Sequence, residues 1–116
     1  MKSKYHSKKI VRDGITFDSM KEYRRWVELS LLEKAGAIQE LKRQVKFELL
    51  PAQYESNGKK RGKCLERAVS YVADFVYIEN GVNVVEDTKS VATKTKDYIL
   101  KRKMMLYFHG IRIKEI

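Results

Sequence analysis

The chain has little of the chemistry on which disulfide-linked, zinc-binding and membrane-spanning proteins depend. Its 116 residues include a single cysteine, Cys64, which excludes an intramolecular disulfide and a cysteine-based zinc site and is best interpreted as a structural thiol. No apolar run approaches the roughly 18 residues of a membrane span, and no signal peptide opens the sequence. We expect a soluble protein of a reducing, intracellular compartment, folded as one domain over residues 1–116.

Acidic residues are also scarce relative to basic ones. The chain has 15 acidic and 25 basic residues, a net charge of +10 that suits a polyanionic partner. Residues 1–9 are rich in lysine and poor in apolar side chains, which predicts a flexible basic arm. Residues 53–63 hold a second basic group, Lys59, Lys60, Arg61 and Lys63. That segment is either a solvated loop or hairpin tip without a function, or one that contacts a phosphate backbone.

The remaining pattern predicts alternating helices and strands. The predicted elements are a short hairpin at 10–17, a helix at 18–36, a strand at 45–50, two strands at 71–89, a helix at about 96–109 and a strand at 111–116. Gly36 and Gly110 mark the helix ends, and Thr93 or Thr95 is the cap of the second helix. Without the small leading hairpin the order is αβββαβ. We therefore predict an α/β fold with a central mixed sheet flanked by helices.

The two strands around Asn80-Gly81 define the most informative part of the sequence. Asn-Gly between β-prone runs favours a two-residue type I′ turn, because both central residues must adopt positive φ. Glu79 then faces Val82, and counting outward sets Asp74 directly opposite Asp87. A four-residue loop preserves this register, whereas a loop of odd length breaks it.

Two interpretations of the opposed aspartates follow. Like charges directly opposite each other destabilise a sheet, so the pair needs compensation. In a structural interpretation, Lys89 neutralises both acids on a salt-bridged face. In a functional one, Asp74 and Asp87 bind Mg²⁺, which takes oxygen ligands from one or two carboxylates and leaves positions for water and phosphate. Lys89 then supplies a charge for that phosphate.

Glu22 is a further candidate, on the first helix. Ser19-Met20-Lys21-Glu22 matches a capping box, in which the glutamate bonds back to the amide of the cap residue. Glu22 also borders the apolar stripe beside Trp26, so it can project towards the surface on which the helix packs.

These residues carry a resemblance. Asp74 followed by Asp87-Thr88-Lys89 resembles the PD-(D/E)XK nuclease signature in its D…DxK form, and Glu22 resembles the acid that many members place before the sheet. Wider stretches, at 4–5, 13–19, 71–75 and 86–89, are similar to a family of small phage and prophage proteins of that superfamily. Ala73 stands where the plainest pattern has proline, and Asp87 where it has glutamate. A bulge in the strand would make the adjacent Glu86 the ligand instead.

The resemblance implies a restriction-endonuclease-like core and hydrolysis of DNA phosphodiesters with Mg²⁺, for which Mn²⁺ substitutes. It implies that Asp74, Asp87 and the Thr88 carbonyl hold the metal, that Glu22 completes the site, and that Lys89 orients the attacking water. Cations from the basic segment and the second helix are assigned to DNA binding: Lys59, Lys60, Arg61, Lys63, Lys96, Lys101 and Lys103.

Relatives of this size often act as dimers on branched DNA, which implies a structure-specific endonuclease, such as one for Holliday junctions, working in the cytoplasm of a host cell. The alternative is a non-catalytic nucleic-acid-binding accessory protein of phage recombination or replication. Such a protein would keep the basic surface and use the acids structurally.

Overall fold

A computed structural model describes residues 9–58 and 60–116, which form two helices and eight strands. In chain order these are β1 (Ile10–Arg12), β2 (Ile15–Phe17), α1 (Met20–Lys34), β3 (Gln39–Leu50), β4 (Gln53–Asn57), β5 (Lys60–Glu66), β6 (Val69–Glu79), β7 (Val82–Asp87), α2 (Lys96–His109) and β8 (Lys114–Glu115). The predicted basic arm, apart from Lys9, lies outside the described residues.

The central sheet has the strand order β3-β6-β7-β8. Strands β3, β6 and β7 are antiparallel neighbours, whereas β8 pairs with β7 in parallel, so the sheet is mixed as predicted. The helices and sheet strands follow the order α1, β3, β6, β7, α2, β8, and the β4–β5 hairpin is inserted between β3 and β6. The α/β class and the αβββαβ order are thus confirmed.

Local signals explain where both helices begin and end. The Ser19 side chain accepts a hydrogen bond from the Glu22 amide at the start of α1, and Thr95 does the same for α2. Thr95, not Thr93, is therefore the cap of α2. Gly36 and Gly110 both have positive φ just beyond the helix ends, where glycine relieves the left-handed conformation.

Two apolar clusters hold the helices on the sheet. One joins α1 to the sheet and contains Leu29, Ile38, Phe75 and Tyr77, with Trp26 stacked on Phe75 at 6.2 Å. The other joins α2 to the sheet and contains Leu49, Tyr71, Ala73, Val85, Tyr98, Met105 and Ile113. Strand β6 contributes to both clusters, and Asp74 lies on it at the boundary between them.

Three predicted elements differ in extent. Strand β3 begins at Gln39 instead of Val45, because it pairs with β6 over nearly its whole length. The last strand is confined to Lys114–Glu115, the two residues that face the end of β7. The described residues of 53–63 belong to the β4–β5 hairpin, a two-stranded sheet of its own, so of the two alternatives for this segment, loop and hairpin tip, the hairpin is the one observed. No helix in the described part of the chain is both long and apolar enough to cross a membrane.

Candidate functional site

The hairpin register brings the two aspartates together as predicted. Asn80 and Gly81 have φ of 52° and 76°, and the β6–β7 ladder pairs Glu79 with Val82 and then continues in step. The next position after its last pair places Asp74 beside Asp87, and the two carboxylates are close enough to shift each other's pKa.

Each aspartate has its own set of donors. Asp74 Oδ2 accepts hydrogen bonds from the Thr88 backbone N–H at 2.9 Å and from the Thr88 hydroxyl at 2.7 Å. Asp87 Oδ2 accepts one from the Tyr71 hydroxyl at 2.7 Å, and Lys89 Nζ lies 3.7 Å from the same oxygen. The resemblance assigns a role only to the carbonyl of Thr88. The hydrogen bonds that its N–H and hydroxyl donate to Asp74 were not predicted.

The two aspartates differ in how strongly they hold a proton. Burial and the neighbouring Asp74 raise the pKa of Asp87 to about 8. Burial also acts to raise the pKa of Asp74, but its hydrogen bonds with Asp87 and Thr88, together with the charge of Lys89, lower that pKa overall. Near neutral pH, Asp74 is therefore the ionised member and Asp87 holds the proton.

Lys89 is held by its backbone as well as by Asp87. Its N–H donates to the Ile116 carbonyl at 3.2 Å, and its own carbonyl accepts from Lys21 Nζ at 3.3 Å. The Ile116 N–H donates to the Asp87 carbonyl at 3.0 Å, so residue 116 brackets Thr88 on both sides. The ammonium group lies 4.6 Å from the Tyr98 ring centroid.

Glu22 faces the same site from α1. Its side chain is buried, and its carboxylate accepts from the Asp18 N–H at 3.3 Å and from Arg43 Nη2 at 3.2 Å. Half of the predicted capping box is therefore present, because the carboxylate bonds to the amide of Asp18 and not to that of Ser19. Burial and the charge of Asp74 raise the pKa of Glu22.

Two neighbouring residues of β3 complete the surroundings of Glu22. Gln44 Nε2 lies 3.4 Å from both Glu22 Oε1 and Asp74 Oδ1, so it bridges the helix acid and the strand acid. The Arg43 guanidinium lies 4.5 Å from the Phe17 ring centroid, a cation–π contact. Sequence reasoning missed Arg43, Gln44 and Tyr71, because no motif or spacing distinguishes them from ordinary strand residues.

Glu86, the alternative ligand, is engaged elsewhere. Arg25 of α1 binds both of its carboxylate oxygens, at 2.8 and 2.6 Å, and the Tyr77 hydroxyl donates to it as well. The β6–β7 register runs without a bulge up to Glu86. Asp87, not Glu86, therefore lies beside Asp74.

A groove of about 390 Å³ runs from Asp87 towards α2. Asp87, Lys89 and Lys101 line it, and Lys101 Nζ lies 3.5 Å from an oxygen of Asp97. The other walls come from β6 and from the segment leading into α2: Ser70, Tyr71, Val72, Thr93, Thr95 and Tyr98. Among the described members of the predicted DNA-binding set, only Lys101 thus lines this groove.

The other predicted DNA-binding cations lie elsewhere on the described structure. Lys96 and Lys103 are exposed on α2, and Lys103 lines a separate groove of about 380 Å³ with Arg102 and Arg112. Arg61 and Lys63 are exposed on the β4–β5 hairpin, where Arg61 lies 4.3 Å from the Tyr54 ring centroid. Lys60 is the first residue of β5, and Lys59 lies outside the described residues.

The donor set suits a hard cation held by few protein ligands. Over residues 9–58 and 60–116, no three His, Cys, Asp or Glu side chains are close enough to enclose a metal ion together. Mg²⁺ is commonly bound by one or two carboxylates while water and substrate phosphate fill its other positions. Asp74 and Asp87 match that arrangement, and a bound cation would displace the proton from Asp87.

Comparisons with known proteins identify the chain's relatives without giving them an activity. No match was found among the curated proteins or among the solved structures. The model of one family, described as "Protein of unknown function (DUF1064)", matches residues 2–115. The chain therefore belongs to the DUF1064 family.

Proposed function

We propose that this protein is an endonuclease that hydrolyses DNA phosphodiesters with a divalent cation, Mg²⁺ or Mn²⁺, held by Asp74 and Asp87. The observation that carries the proposal is the placement of Asp74 beside the buried Asp87, with Asp87 and Lys89 both lining one groove. A stable fold gains nothing from two opposed carboxylates, so a cationic ligand gives the arrangement a purpose. The αβββαβ order supports a restriction-endonuclease-like core.

Each residue of the site has a defined task in this mechanism. Asp74 and Asp87, with the Thr88 carbonyl, hold the cation, and the Thr88 N–H and hydroxyl fix the direction of Asp74. The cation supplies Lewis-acid polarisation of the phosphate and lowers the pKa of water. Lys89 orients the attacking water and offsets the charge that develops on the phosphorane oxygens. Glu22, with its raised pKa, is placed to accept a proton from water beside Asp74.

The β4–β5 hairpin is the strongest candidate for contacting the DNA backbone outside the groove. Almost all of its described residues are exposed, and an isolated two-stranded hairpin is only marginally stable in water. Arg61 and Lys63 lie on it beside Lys60 and, in the sequence, Lys59. Exposed cations on such a ribbon are suited to phosphates, and Lys96, Lys101 and Lys103 of α2 are further candidates for phosphate contacts.

The substrate we propose is branched DNA, including Holliday junctions, with the protein acting as a homodimer in the cytoplasm of a host cell. No segment of the chain has the side-chain pattern of a base-reading module, which favours selection by DNA shape. This part of the proposal is supported by the size of the protein and by its resemblance to small phage nucleases.

A non-catalytic DNA-binding accessory protein is the second candidate. The observation that favours it is the Lys89–Asp87 ion pair at 3.7 Å, which compensates part of the acidic charge without a metal. In that case the acids and Lys89 serve only the fold.

One experiment separates the two candidates. The purified full chain is incubated with Mg²⁺ or EDTA on linear, nicked, flap and four-way-junction DNA, alongside Asp87→Asn and a control, Glu28→Gln, on the exposed face of α1. The endonuclease is supported by Mg²⁺-dependent cleavage of branched DNA that Asp87→Asn abolishes and Glu28→Gln retains. Binding without cleavage by the wild type on all four substrates supports the accessory protein. Equal cutting of unbranched duplex contradicts selection by shape.

A further inference from the structure

The backbone of β3 adopts an unfavourable conformation at Gln44. Its φ is 50°, in the left-handed region that a non-glycine residue enters at a cost. The register of the strand gives no reason for it, because Arg43 pairs with Phe75 and Val45 with Ala73 on either side in unbroken step. Strain of this kind persists where the surrounding structure requires it, and it is concentrated at functional sites.

The contacts of Glu22 show what the left-handed residue achieves. Consecutive side chains of a regular strand point to opposite faces of the sheet. Here Arg43 Nη2 and Gln44 Nε2 both reach Oε1 of Glu22, at 3.2 and 3.4 Å. The conformation at Gln44 therefore brings a second side chain to the same carboxylate, and its amide also lies 3.4 Å from Asp74.

We propose that Gln44 is a positioning residue that holds the Glu22 and Asp74 carboxylates at the spacing a divalent cation requires. The inference rests on the proposed function, because the cation is the one assigned to Asp74 and Asp87. Carboxylates that bind metals are in turn hydrogen-bonded, and losing such a partner typically lowers metal affinity about 10- to 100-fold. The Gln44 side chain is exposed, so its removal leaves no cavity in the core.

Two substitutions test the role of the amide. Gln44→Gly removes the side chain and relieves the left-handed conformation, whereas Gln44→Met keeps the length of the side chain and removes its hydrogen-bond donors. Mn²⁺ affinity of the full chain is measured from the electron paramagnetic resonance signal of free Mn²⁺. We expect both variants to bind Mn²⁺ about 10- to 100-fold more weakly than the wild type. We expect the melting temperature of Gln44→Gly to stay within about 4 °C of the wild type.

Glu40 provides a matched control on the same strand. It is exposed, has φ of 53°, and lies at the register shift between Gln39 and Lys42. Glu40→Gly relieves the same backbone conformation and should leave Mn²⁺ affinity unchanged. Equal losses in Glu40→Gly and Gln44→Gly would overturn the inference, because they would trace the effect to the strand backbone.

The remaining outcomes separate this inference from the function on which it rests. If the wild type binds Mn²⁺ and both Gln44→Gly and Gln44→Met bind it equally well, the positioning role is overturned but the proposed metal site is not. A wild type without measurable Mn²⁺ affinity overturns the metal site and the positioning role together.

Discussion

Glu86 and Asp87 are adjacent, equally buried acids whose surroundings are opposite in character. Glu86 receives both guanidinium arms of Arg25 and the Tyr77 hydroxyl, and Lys114 Nζ lies 4.0 Å away. Asp87 faces another carboxylate and has one lysine at 3.7 Å. The first acid is neutralised by the protein itself, whereas the second has too little positive charge around it. A buried acid with incomplete compensation is a better candidate for ligand binding than one that is fully paired.

The largest expected effect is on stability, and it separates the two acids directly. Glu86→Ala leaves the Arg25 guanidinium without its partner, and we expect a loss of about 3–5 kcal/mol in the free energy of unfolding. Asp87→Asn replaces an acid whose ionisation beside Asp74 is unfavourable by a neutral group, so its stability should equal or slightly exceed that of the wild type. Urea unfolding of both variants without metal measures the difference. Equal destabilisation would show that both acids serve the fold.

The next effect concerns Lys89. If it acts mainly in the transition state, Lys89→Ala should keep DNA affinity and lose about 100- to 1,000-fold in kcat. Single-turnover cleavage and binding in EDTA measure the two quantities on one preparation. If Lys89 is only the counterion of the acids, the variant should instead melt markedly lower, since the carboxylates lose their compensation. A destabilised Lys89→Ala variant, together with a wild type that cuts no DNA, would contradict the nuclease hypothesis.

The raised pKa of Asp87 predicts that the free energy of unfolding of the metal-free protein depends on pH. The pKa of Asp87 rises from 3.8 to about 8 on folding, so the stabilisation from its bound proton is complete below about pH 4 and is lost as the pH rises towards 8. Relative to Asp87→Asn, the wild type should lose about 1.4 kcal/mol of unfolding free energy per pH unit between about pH 5 and 7. Parallel curves for the two proteins would contradict the assignment.

The smallest expected effect is on the salt dependence of DNA binding. Neutralising Arg61 and Lys63 together should reduce the slope of log affinity against log salt by about 1.8, because two phosphate contacts are lost. The matched control, Arg24→Gln with Lys34→Gln on the exposed face of α1, removes the same charge. Equal slopes for the two double variants would show that Arg61 and Lys63 of the hairpin do not contact DNA phosphates.

The sequence predicted the parts of this structure that depend on local chemistry. Asn80-Gly81 determined the turn, and the turn determined the register that brings Asp74 to Asp87. Capping residues and glycines likewise located both helices. The period of two along a strand is strict. One correctly identified turn therefore suffices to place Asp74 opposite Asp87, although each lies six positions from its end of the hairpin loop.

Features that depend on tertiary packing could not be predicted from the sequence. The Gln44 amide contacts Glu22 of α1, and the Tyr71 hydroxyl donates to Asp87 of β7, so both contacts join residues of different elements. The pairing of Arg25 with Glu86 joins residues 61 positions apart, which periodicity does not reveal. The length of β8 was overestimated because alternation alone does not show where a partner strand ends.

The bracket that Ile116 forms around Thr88 has a consequence for biosynthesis. Both aspartates and Lys89 are translated well before β8, yet the backbone of Asp87 and Lys89 is fixed by residue 116. A nascent chain that has not reached this residue contains every acid of the site but lacks the two backbone hydrogen bonds that join Asp87 and Lys89 to residue 116. The β6–β7 register can therefore form before these two hydrogen bonds, which hold the segment after Asp87 only once residue 116 has emerged from the ribosome.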